Sequence, residues 1–101
     1  MKVSIQSVNF NADKKLVNYV EKKIKGLEKF YDKIIGVEVF LKVQKTSDKE
    51  NKISEFKITI PGADLIVKKE HKTFEEAVSL AILSMKRQLK KSKEKERALQ
   101  H

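Results

Sequence analysis

Residues 73–97 read TFEEAVSLAILSMKRQLKKSKEKER. The stretch predicts one helix with two halves of different character. Phe74, Ala77, Val78, Ala81, Ile82, Met85 and Leu89 recur at steps of three and four, which puts them in a single stripe. Thr73 is a suitable N-cap, and Glu76 stands at the capping-box position three residues on. Lys86, Arg87, Lys90, Lys91, Lys93, Lys95 and Arg97 dominate the second half, against Glu94 and Glu96. The apolar half is expected to dock on a sheet and the basic half to leave that sheet and meet a polyanion. Leu80 and Leu83 fall outside the stripe. They read as isolated exposed leucines, with an extra contact surface as the sharper alternative.

Upstream, the chain supplies the sheet. Lys2–Phe10 predicts a strand whose alternation slips at Ser7-Val8, by a bulge or by the strand's end. Asp13 caps a helix reaching Phe30 or Tyr31. Its stripe is Leu16, Val20, Ile24, Leu27 and Tyr31, with Val17 and Phe30 at the edge and Lys22, Lys25 and Lys29 on the opposite side. Ile35–Lys45 is the clearest strand: Val37, Val39, Leu41 and Val43 alternate with residues that are polar except for Phe40. Thr46–Lys52 has the composition of a mobile hairpin loop. Phe56, Ile58 and Ile60 mark the third strand, Pro61-Gly62 a tight turn, and Ala63–Glu70 the fourth strand.

The order is β-α-β-β-β-α. A helical crossover joins the first two strands, which are therefore expected to be parallel, and short connections make the rest an antiparallel meander. The predicted fold is α+β, with two helices packed on one face of a four-stranded mixed sheet. Residues 1–92 are expected to form one domain and residues 93–101 a basic, frayed tail.

The chain has 101 residues, 40% hydrophobic and 37% charged, with a net charge of +9. Such an excess gathers polyanions, of which nucleic acid is the most abundant. Cysteine is absent, which excludes a disulfide framework and thiolate metal sites and fits the cytoplasm. No signal core and no membrane-length apolar run is present. Nor is there a catalytic constellation. The only histidines are His71, before a helix cap, and the terminal His101; three glycines make no phosphate loop; and Glu75 and Glu76 are explained by a helix N-terminus. An enzyme is not expected, nor a cofactor, a metal, a small-molecule substrate or a membrane partner, and the chain is expected to be a monomer.

Any single lysine on a helix face is usually just solvated. Here seven basic residues crowd positions 86 to 97. If both helices cover one sheet face, Lys22, Lys25 and Lys29 share an outer surface with them. No zinc-finger, zipper or RNP-type pattern is present, and the tyrosines and phenylalanines fall mostly on core stripes, so no stacking platform is evident. A basic helical face without base-reading groups suits a folded RNA recognised by shape and phosphates. The topology is similar to the double-stranded RNA-binding domain with an extra leading strand. By composition and pattern, a general module for structured RNA and a protein-interaction module using the basic helix both stay open.

Three segments carry a resemblance. Leu27-Glu28-Lys29-Phe30-Tyr31-Asp32-Lys33-Ile34, Val39-Phe40-Leu41-Lys42-Val43 with Lys45, and Arg87-Gln88-Leu89 with the lysines around it are similar, in order and spacing, to segments of the ribosome hibernation-promoting factor family. That family is also called ribosome-associated inhibitor or sigma-factor modulation proteins. The resemblance implies a factor that binds the small ribosomal subunit through rRNA and blocks the mRNA and tRNA channel near the decoding centre in stationary phase or stress. It implies that Lys86, Arg87, Lys90, Lys91 and Lys93 face rRNA phosphates. Lys23 matches a basic family position, although it lies beside the core stripe. Where the family opens its second helix with D-x-Y-x-A-[IV]-D, this chain has Thr73-Phe74-Glu75-Glu76-Ala77-Val78-Ser79, with Thr replacing Asp as cap. The chain resembles a short form, which implies either a separate modulation factor as partner in pairing ribosomes, or blocking of single ribosomes.

Overall fold

A computed structural model describes residues 1–45, 49 and 51–99. The elements are β1 (Lys2–Val8), α1 (Lys14–Phe30), β2 (Gly36–Val43), β3 (Lys52–Ile60), β4 (Ala63–His71) and α2 (Phe74–Leu99). The four strands lie in the order β1-β2-β3-β4. β1 runs parallel to β2, and the other two pairings are antiparallel, as the crossover and the short connections dictate.

The alternation of β2 sets the two faces. Val37, Val39 and Leu41 pair in register with Ile58, Phe56 and Ser54, and all six are buried on the helix-covered side. The α2 stripe expected from the sequence, from Phe74 to Leu89, is buried throughout. The α1 stripe joins it in one core, where removing each Leu- or Ile-sized side chain from water is worth roughly 1.5–3 kcal/mol.

Local signals start and stop the elements. Asp13 Oδ1 accepts the Leu16 N–H at 2.8 Å, a cap worth about 1 kcal/mol. Thr73 Oγ1 accepts the Glu76 N–H at 3.2 Å. The phase slip in β1 is the strand's end and not a bulge: β1 stops at Val8, and Asn9 takes a left-handed φ of 68°. Gly62, at φ 81°, turns β3 into β4 behind Pro61, a conformation that favours glycine. A Cβ on Gly26 would meet nothing within 4 Å, so this glycine is tolerated in α1 and serves no close packing. The hairpin loop expected over 46–52 lies largely outside the described residues; next to its ends, the Gln44 N–H bonds the Asn51 carbonyl at 2.9 Å.

One expectation is corrected. The tail expected after Ser92 is helical, since α2 continues to Leu99. The phase of the apolar stripe carries on through polar residues, and Glu96 accepts hydrogen bonds from the Tyr31 hydroxyl and from Lys33 Nζ, both at 3.0 Å. Residues 100–101 lie outside the described residues.

Candidate nucleic-acid interface

The two helices lie side by side and run in the same direction. Tyr19, early in α1, meets Ser79 and Glu75, early in α2; Phe30, at the end of α1, meets Lys86 and Lys93; and Tyr31 meets Glu96. The molecule measures 53 × 24 × 18 Å, and α2 extends past the end of α1 along the long axis.

The groove between the helices gathers cations on aromatic rings. Lys23 Nζ lies 5.4 Å from the centroid of Tyr19, and Lys86 and Lys93 lie 6.0 and 4.9 Å from that of Phe30. Ammonium groups held over ring faces keep their stems packed and their heads in water. Tyr19 is itself fixed by its hydroxyl, 2.7 Å from Ser79 Oγ. The half-buried row Tyr19–Phe30 is a feature that the sequence assigned mostly to the core. At about 100° per residue, Lys90 and Arg97 fall on the groove side of α2, beside Lys86 and Lys93.

Not every candidate joins this row. Lys22 and Lys29 are exposed on the outer crest of α1. Lys25 points away from the groove and lines a different surface, with Glu21 and Glu28 against β1. Arg87 is exposed on the outer crest of α2, and Lys91 falls on its far flank. The structure thus brings together Lys23, Lys86, Lys90 and Lys93, places Lys22, Lys29 and Arg87 on the crests beside them, and separates Lys25 and Lys91. Lys95, also basic, shares the flank of Lys91.

The overhanging end of α2 is tied down by a small network. Glu96 is held below the usual carboxylate range, first by the hydrogen bond from Lys33 and then by that from Tyr31. Lys33 is raised by the same bond, and Tyr31 is raised by burial and then by Glu96. At the other end of α2, Glu76 does not complete the capping box, because its carboxylate is set against His71 Nδ1. Among the described residues no cluster of His, Cys, Asp or Glu could hold a metal, and no helix is long and apolar enough to cross a membrane.

Known proteins are similar to this chain in sequence and in fold. The family described as sigma 54 modulation protein / S30EA ribosomal protein matches residues 3–97. The ribosome hibernation promoting factor of Pseudomonas putida is 33% identical over 99 residues, covering 98% of this chain and 93% of that protein. Its namesake in Azotobacter vinelandii is 33% identical over 95% of this chain and 86% of its own length. The ribosome hibernation promotion factor of Bacillus subtilis is 31% identical over 94% of this chain, which spans 50% of that longer protein. In fold, the chain is similar to a ribosomal subunit interface protein from Coxiella burnetii, with a TM-score of 0.79 at 20% identity over 92% of this chain and 98% of that one. It is also similar to the N-terminal domain of Protein Y from Thermus thermophilus, with a TM-score of 0.77 at 22% identity over 90% and 98% of the two chains.

Proposed function

Because this chain belongs to the family of sigma 54 modulation proteins and S30EA ribosomal proteins, we propose that it is a cytoplasmic ribosome hibernation factor that binds the small subunit through rRNA. In this role it blocks the mRNA and tRNA channel near the decoding centre and silences translation in stationary phase or stress. The function is binding and not catalysis, in line with relatives that promote hibernation.

The observation that carries this function is the continuous cationic groove of Lys23, Lys86, Lys90 and Lys93, with Arg97 extending it along the overhang. A row of ammonium groups on a rigid two-helix face follows a phosphate backbone, and its one planar guanidinium, Arg97, lies at the overhanging end. It therefore suits folded RNA recognised by shape. Lys22, Lys29 and Arg87 widen the surface from the crests, and Lys25 and Lys91 are assigned outer contacts. Each phosphate neutralised adds about 0.7–0.9 to the log–log salt slope.

The test is sedimentation of the purified protein with vacant ribosomes across a salt series. The protein is expected to pellet with small subunits and to be excluded when mRNA and tRNA are bound. A protein that stays in the supernatant yet shifts every RNA duplex equally well would replace this function with general RNA binding.

A further inference from the structure

We propose that the free edge of β1 is a pairing surface for a second copy of this chain. The Lys2 N–H donates to the Ile35 carbonyl at 3.2 Å, so Lys2, Ser4 and Gln6 turn their backbone groups to β2. Val3, Ile5 and Ser7 therefore turn theirs outward, unpaired along the sheet margin.

Natural sheets protect such margins with charges, prolines or bulges. The opposite margin, β4, does so with Asp64, Lys68, Lys69 and Glu70. β1, reading KVSIQSV, has one lysine at its start, no proline, no acid and no bulge. Beside it, α1 leaves part of the sheet uncovered. A groove of about 540 Å³ runs between β1 and α1, floored by Met1, Val3, Ile5, Val17 and Ile24. Val3 and Met1 remain 44% and 47% exposed on it.

The groove suits its own copy. Val3 and Ile5 both have outward backbone groups and side chains on the helix-covered face. An antiparallel two-fold pairing that sets Val3 opposite Ile5 of the second copy therefore forms ladder bonds and closes the apolar floor at once. In that register the two α1 helices run antiparallel across the axis. Their facing flanks alternate in charge as Lys14, Glu21, Lys25 and Glu28. Glu21 then meets Lys25 of the other copy, a pair that occurs twice. A register one pair further along misaligns these charges, so they fix the register more than they add affinity. The product is one eight-stranded sheet carrying both cationic grooves on the same side. The monomer expected from the sequence is the dilute form. Two short strands and a groove make a small interface, so the dissociation constant is expected on the order of 100 μM.

Sedimentation equilibrium over a concentration series tests this. The mass is expected to climb from 11.7 kDa toward twice that value. Added salt should favour association by screening the +9 charge of each chain. Val3→Pro removes an outward N–H without touching the bonds to β2, and should leave a monomer with an unchanged far-ultraviolet spectrum. Lys25→Glu should weaken association about fivefold, and Glu21→Lys combined with Lys25→Glu should restore it. Should Val3→Pro unfold the domain, the loss and rescue by the charge pair decide the matter. A wild-type protein that stays monomeric throughout, or a dimer indifferent to these substitutions, overturns the proposal.

Discussion

Ser54 is the one fully buried polar residue among those described, and its hydroxyl has no hydrogen-bond partner among them. It stands on the covered face of β3, in register between Leu41 and Lys69. A buried hydroxyl left unbonded costs about 1–3 kcal/mol, and an apolar group of similar shape removes that cost. Ser54→Ala is therefore expected to raise the stability to urea by up to about 1 kcal/mol, read from the denaturation midpoint at unchanged slope; a loss of 1 kcal/mol or more would show that the hydroxyl is bonded. At this scale the sequence was least informative where a residue's partner is distant. Periodicity put Phe30 at the edge of a stripe and Tyr19 among the aromatics on core stripes; Lys23 over Tyr19 is a spacing of four within α1, but only the side-by-side packing of the helices shows that the Phe30 ring carries Lys86 and Lys93. Periodicity likewise put Lys22, Lys25 and Lys29 on one face, and α1 then turns Lys25 toward β1. Glu76 matched a local motif and went instead to His71.

Element order, strand pairing and both apolar stripes were legible because each follows from a repeat of two or 3.6 residues within a short window. The end of α2 was not. Ser92 and Glu96 continue the stripe in phase but are polar, and what holds Glu96 lies 65 and 63 residues away in sequence, at Tyr31 and Lys33. The contact has a definite pH window. The carboxyl of Glu96 is depressed below its ordinary 4.5, so its contribution is complete above that value and is lost as pH falls through the lower, folded value. Lys33 and Tyr31 are raised, so theirs is complete below about 10 and is lost as pH rises through their folded values. Amide protection factors at residues 93–97 should thus be high at neutral pH and fall in acid before those of the strands. Glu96→Gln should bring that loss of protection to pH 7. Protection at 93–97 that ignored both acid and the substitution would mean that the helix holds itself without the tie.

Across the whole molecule the charge is one-sided. On the open face of the sheet, Glu38 pairs in register with Lys57 and Glu55 with Lys68, and Asp64 and Glu70 are matched by Lys2 and Lys42. That face is close to neutral, so the net +9 belongs mainly to the helical side. RNA affinity should follow the same division. Replacing Lys42, Lys57 and Lys68 by Gln should change ribosome binding by no more than about twofold, whereas replacing Lys86, Lys90 and Lys93 should lower the salt slope by about 2 and the affinity by at least about a hundredfold. Equal losses from the two triple variants would mean that the RNA surface is not confined to the helices. The tie between the helices has an optical consequence as well. The chain has no tryptophan and two tyrosines, and both are bonded to α2, Tyr19 from within α1 to Ser79 and Tyr31 from just past its end to Glu96. Its intrinsic ultraviolet emission therefore comes wholly from the two ends of one helix–helix seam, and a fluorimeter can follow the seating of α2 without any attached dye.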